Sequence, residues 1–123
     1  MGKEGFRGLV VWQKAKELAV AIYQLTDNGK ISQDFGLKDQ MRRAAVSICS
    51  NIAEGDERDT NKESVRFLYI AKGSLAELIT QLEIAHEIGY ISLDQASHFQ
   101  TSCTEIGKML GALIKVRSQQ KNL

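Results

Sequence analysis

Proline is absent from the chain. No helix therefore meets the residue that lacks an amide donor and breaks the preceding turn, and neither a disordered segment nor a β-sandwich is indicated. Cysteine is nearly absent too: Cys49 and Cys103 stand alone, without metal-ligand spacing, which excludes a disulfide framework. Both fall on or beside apolar stripes and read as buried thiols of a reducing cytoplasm. No apolar run approaches the ~18 residues of a membrane span, and the N-terminus lacks the apolar core of a signal peptide. A cytoplasmic protein with no membrane partner is the expectation. An excess of one charge is also missing, since 16 basic and 15 acidic residues leave +1. Bulk charge thus does not announce a nucleic-acid binder. There is no strand signal, no phosphate loop and no recognisable pairing of a nucleophile with histidine.

What is present is helical periodicity. At 123 residues, 43% apolar and 25% charged, the chain is one domain with a modest core. Four apolar stripes predict an all-α, antiparallel up-down four-helix bundle over residues 1–123. Residues 1–7 read as a flexible arm and residues 118–123 as a frayed tail. The first helix is expected from Leu9 to Thr26, ending at Asp27-Asn28-Gly29, with Val11, Ala15, Leu18, Ile22 and Leu25 inward. Trp12, Ala19 and Tyr23 add a second stripe, giving an apolar arc of roughly 200°, wider than one core contact needs. That width suggests an oligomer interface. The connection that follows ends at Phe35, expected to tuck onto the bundle.

The second helix should begin near Leu37 and end around Gly55 or a turn later. Thr60 and Glu63 then fit a capping box, and Gly89 fits the terminator of a third helix. That helix carries Leu68, Ala71, Leu75, Leu78, Leu82 and Ala85 inward. Gly73 lies in its middle at a propensity cost of about 1 kcal/mol, which predicts a close helix contact there. Ser92 and Gln95 form a second capping box, opening a fourth helix with a heptad seam of Ala96, Phe99, Cys103, Ile106, Leu110 and Leu113. Gly107 and Gly111 suggest another close approach.

The stretch Met41–Gly55, MRRAAVSICSNIAEG, organises the rest. It places Met41, Ala44, Ile48 and Ile52 inward, with short side chains between them. Asn51 shares the apolar side and needs specific hydrogen-bond partners. Arg42 and Arg43 open the stretch; Glu54 and Gly55 close it. RRAAVSICSNIAEG resembles the signature of the small four-helix-bundle proteins encoded in 23S rRNA intervening sequences. That family includes the accessory variability proteins of diversity-generating retroelements. Leu9–Tyr23, Gly36–Gly55 and Phe67–Leu82 match its pattern in the same order. Cys49 stands where that pattern has proline. The resemblance implies a ring-like homopentamer linked to RNA or retroelements, with no established catalytic activity and no cofactor. Asn51, Glu54, Gly55 and Gly73 are the signature and structural positions.

Three functional readings follow. The first is a non-enzymatic homopentameric scaffold associated with RNA, contacted through Arg42, Arg43, Arg58, Lys62 and Arg66. These form a basic row along the second and third helices, able to follow a phosphate backbone without reading sequence. Solubility and salt bridges with Glu54, Asp59 and Glu63 are the plainer account of the same residues. The second reading is a protein-interaction adaptor for a nucleic-acid enzyme such as a reverse transcriptase. The third is a metal-dependent bundle enzyme, suggested by Glu83-Ile84-Ala85-His86, with His98 able to lie near Glu83 across the last hairpin; a polar flank near the hairpin is the better reading of these residues. The second E-x-x-H of a di-iron site is missing, since Gln95 precedes His98 by three.

Charge is also distributed unevenly. Ser74–Gly107 holds five acids and no Lys or Arg, whereas four bases and no acid follow from Lys108 onward. Such polarity can orient subunits or place a basic rim; a solvated tail is the plainer reading.

Overall fold

The computed structural model describes residues 5–119. They form α1 (Val10–Leu25), α2 (Phe35–Asp56), α3 (Asn61–Glu87) and α4 (Leu93–Gln119), with short 3-10 turns at Gly5–Gly8 and Lys30–Gln33. α1 packs on α2, α2 on α3, α3 on α4, and α4 returns to α1, closing an antiparallel bundle. The α2–α3 seam is the most extensive and the α1–α4 seam the thinnest.

Helix ends follow from local chemistry. Thr26 closes α1 by donating from its hydroxyl to the Ile22 carbonyl at 2.7 Å, and Gly29 turns the chain with φ 71°. Asp34 caps α2 by accepting from the Leu37 amide at 3.1 Å, so α2 starts two residues earlier than the apolar pattern indicates. Thr60 accepts from the Glu63 amide at 3.2 Å. Gly89, with φ 84°, ends α3 in a Schellman motif: its amide bonds the His86 carbonyl and the Tyr90 amide bonds the Ala85 carbonyl. The Ser92–Gln95 box is fully reciprocal, at 2.8 and 3.1 Å. The Tyr90 hydroxyl then donates to Asp34 at 3.0 Å, pinning the α3–α4 turn to the start of α2.

The expected inner stripes are buried: Val11, Ala15, Leu18 and Ile22; Met41, Ala44, Ile48 and Ile52; Leu68 through Ala85 along α3. In α4 the seam runs Phe99, Cys103, Ile106 and Leu110, then shifts from Leu113 to Ile114. A strict heptad drifts on a helix of 3.6 residues per turn, and the shift restores the inward direction.

Several expectations are corrected. Phe35 does not tuck in; it is 75% exposed, whereas Ile31 of the preceding turn is buried at 2%. Within the expected arm, Gly5–Gly8 form a 3-10 turn, with Phe6 edge-on to Trp12 at 5.2 Å and Gln13 donating to the Arg7 carbonyl. Residues 118 and 119 belong to α4; the remainder of the expected tail, like residues 1–4 of the arm, lies outside the described residues. No helix contact meets Gly73, where an added Cβ would have nothing within 4 Å, and the same holds at Gly111. Gly107 does face a neighbouring helix, a Cβ there lying 3.4 Å from Leu75 Cδ2, and the tightest approach is at Gly55, where a Cβ would lie 3.0 Å from the Ser64 carbonyl oxygen and 3.2 Å from Phe67 Cβ.

Candidate nucleic-acid interface

The expected basic row separates into parts with different duties. Arg42 turns back onto α1. Its Nε donates to Thr26 Oγ1 at 2.8 Å, its Nη2 donates to the Tyr23 carbonyl at 3.2 Å, and its guanidinium lies 4.3 Å above the Tyr23 ring. A helix C-terminus leaves carbonyls without intrahelical donors, and Arg42 supplies donors there. With its side chain only 22% exposed, Arg42 is a clamp between α1 and α2 and is withdrawn from any phosphate. Arg43 is exposed but paired with Asp39 at 2.9 Å. It lies about 20 Å, at ~1.5 Å per residue, before the end of α2 at Asp56, beyond which Arg58 follows.

The other three cations gather where α2 hands over to α3. Arg58 stacks on the Phe67 ring at 4.4 Å, and Arg66 approaches the same ring at 5.8 Å. Lys62 is exposed one turn before Arg66. Glu54 pairs with Arg58, and Glu63 reaches Arg66 at 3.9 Å. These are exposed ion pairs, each contributing at most about 1 kcal/mol, so an incoming phosphate competes with them easily. The aromatic plate limits the rotamers of both guanidiniums before any ligand arrives.

Asn51 and Gly55 each contribute to the α2–α3 seam that leads to this corner. Asn51 donates through Nδ2 to the Ser47 carbonyl at 2.8 Å and to Ser47 Oγ at 3.0 Å. Ser47 Oγ in turn shares a 2.8 Å hydrogen bond with Ser74 Oγ across the α2–α3 seam. Gly55 lets the start of α3 approach α2 without a side chain between them. Next to it sits a feature the residue patterns did not reveal. Asp56, its side chain fully buried, accepts from Arg117 Nη2 at 2.7 Å, and Arg117 Nη1 donates to Ser64 Oγ at 2.6 Å. Arg117 is therefore not part of a solvated tail. Its register gave a signal: it continues the buried stripe three residues after Ile114, where a cation requires an acid.

The metal constellation does not assemble. Glu83 and His86 line a cleft between α3 and α4, whereas His98 faces the α1–α4 seam beside Lys14 and packs edge-on to Phe99 at 5.5 Å. Among the described residues no three metal-ligating side chains converge. None of their helices is long and apolar enough to cross a membrane. Both cysteines are free thiols; burial pushes the Cys103 thiol up to about 11 and raises Cys49 as well.

An all-α, closed four-helix bundle defines the class. The family model described as 23S rRNA-intervening sequence protein matches residues 7–112, and the chain belongs to that family. A crystal structure from Bacteroides thetaiotaomicron, described as a protein of unknown function from the S23 ribosomal protein family, superposes with a TM-score of 0.80. It is 30% identical over 86% of this chain and 99% of its own. No curated protein matches the sequence.

Proposed function

We propose that this chain is a non-enzymatic, self-assembling scaffold that associates with RNA through the α2–α3 corner. The observation that carries the reading is the convergence of Arg58 and Arg66 on one aromatic ring with Lys62 alongside. Such a cluster follows phosphates by charge. Membership of a family whose name is tied to 23S rRNA points the same way.

Assembly is proposed through the outer surface of α1 and α2. Val20, Tyr23 and Val46 are 51%, 44% and 40% exposed, and Tyr23 and Val46 line one shallow recess. An apolar surface of this kind on a small bundle is suited to a second copy. A homopentamer presents the corner five times, and repeated weak patches gain avidity when one strand spans them. Light scattering at micromolar protein, alone and with a structured RNA, tests both halves. The reading requires a five-subunit mass that increases when RNA is added. A monomer mass removes the assembly, and an unchanged mass at low salt removes the RNA.

A further inference from the structure

The cleft between the end of α3 and the start of α4 has a volume of about 470 Å³. Ile79 and Leu82 of α3 and Ala96 of α4 give it an apolar strip, Leu93 stands 67% exposed beside them, and Ser97, Gln100 and Thr101 make the rest of the α4 wall polar. Its rim carries Glu83 and Glu87. These carboxylates are one helical turn apart, and among the described residues neither forms an ion pair. No Lys or Arg occurs anywhere from Ser74 to Gly107.

That arrangement works against the free protein. Like charges at i and i+4 repel, and Glu87 is the last residue of α3, where the helix terminus is itself partially negative. His86 stands between the two acids, on the same rim. Where a sequence keeps a locally unfavourable charge pattern beside an unfilled groove with an apolar strip, a ligand that relieves both is the economical explanation. We infer that the α3–α4 cleft docks a basic amphipathic peptide segment of a partner protein, one that places a lysine or arginine between Glu83 and Glu87 and an aliphatic side chain on the Ile79–Leu82 strip.

Charge complementarity selects this occupant. RNA is repelled by the rim. A free polyamine satisfies the carboxylates but leaves the apolar strip and Leu93 uncovered. A peptide uses both features, in the manner of a helix laid into a groove. The inference is independent of RNA binding at the opposite, α2–α3 end of α3, and it assigns the adaptor role to an acidic surface.

The test uses the full chain and three probes: a fluorescent Lys/Leu amphipathic peptide, its Glu/Leu counterpart, and spermidine. Anisotropy should report binding of the Lys/Leu peptide alone, with amide NMR shifts at Glu83–Glu87 and across the cleft on α4. Glu83→Gln with Glu87→Gln should weaken binding by roughly tenfold or more, as loss of steering and pairing charges does. The same change should raise the melting temperature of the free protein, because it removes the repulsion. Absence of binding at low salt, binding indifferent to the double change, or equal displacement and equal shifts with spermidine would each overturn the assignment. Self-association that blocks the cleft, seen as peptide binding only on dilution, would overturn it in favour of a second copy.

Discussion

Arg117, in the last turns of α4, donates from Nη2 to Oδ1 of Asp56 at 2.7 Å, joining helix ends 61 residues apart in sequence. The second Asp56 oxygen is buried without a protein partner among the described residues. Removing only the cation leaves a stranded carboxylate. Arg117→Met should therefore destabilise the bundle by about 3 kcal/mol, whereas Asp56→Leu combined with Arg117→Met should recover most of that loss. Urea unfolding of the two single variants and the double variant measures the coupling. Losses that simply add would show the pair to be unimportant.

The two glycines expected to matter exchange roles. Gly55→Ala pushes a methyl against a backbone carbonyl at 3.0 Å, and neither that carbonyl nor Phe67 Cβ at 3.2 Å is a flexible side-chain end. Overpacking should exceed the gain in helix propensity, for a net loss of about 1 kcal/mol. Gly73→Ala meets open space and should stabilise the protomer by up to about 1 kcal/mol. Thermal melts at a concentration where assembly is unchanged check both signs.

Cys103 provides a pH signature. Desolvation holds its folded-state pKa near 11, above the ordinary 9.0. The folded protein thus retains the proton longer than the unfolded chain. Its contribution is unaffected below about pH 9 and declines as pH rises toward about 11, where the unfolded chain ionises first. Subtracting the stability profile of Cys103→Ala from that of the parent should isolate this decline. A flat difference across that window would show that the thiol is not desolvated. Alkylation at neutral pH should label Cys49, half-buried, well before Cys103.

Most of the fold was legible because burial imposes period. Met41, Ala44, Ile48 and Ile52, or Leu68 through Ala85, repeat at helical spacing whatever they pack against. The caps at Thr60, Gly89 and Ser92 were legible for the same local reason. Arg42 was not, because its outward direction on the helical wheel says nothing of a long side chain that folds back to Thr26 and Tyr23. The register of Arg117 on the buried stripe calls for an acid, but that the acid is Asp56, separated by the whole length of α3 and α4, has no local signature. Gly73 misled because propensity records the cost of a glycine and not which surface it faces.

The central claim is that Arg42 is structural while Arg58, Lys62 and Arg66 meet RNA, and salt-dependent RNA titrations of three samples test it most directly. The samples are the parent, Lys62→Gln with Arg66→Gln, and Arg42→Met, each melted in the same buffer. The corner variant should keep its melting temperature and lose affinity, its log–log salt slope falling by roughly one per contact removed. Arg42→Met should melt lower, by about 1–2 kcal/mol of lost hydrogen bonding, with the parent's slope intact. Unchanged affinity in the corner variant at low salt, or a flattened slope in Arg42→Met, would contradict this division.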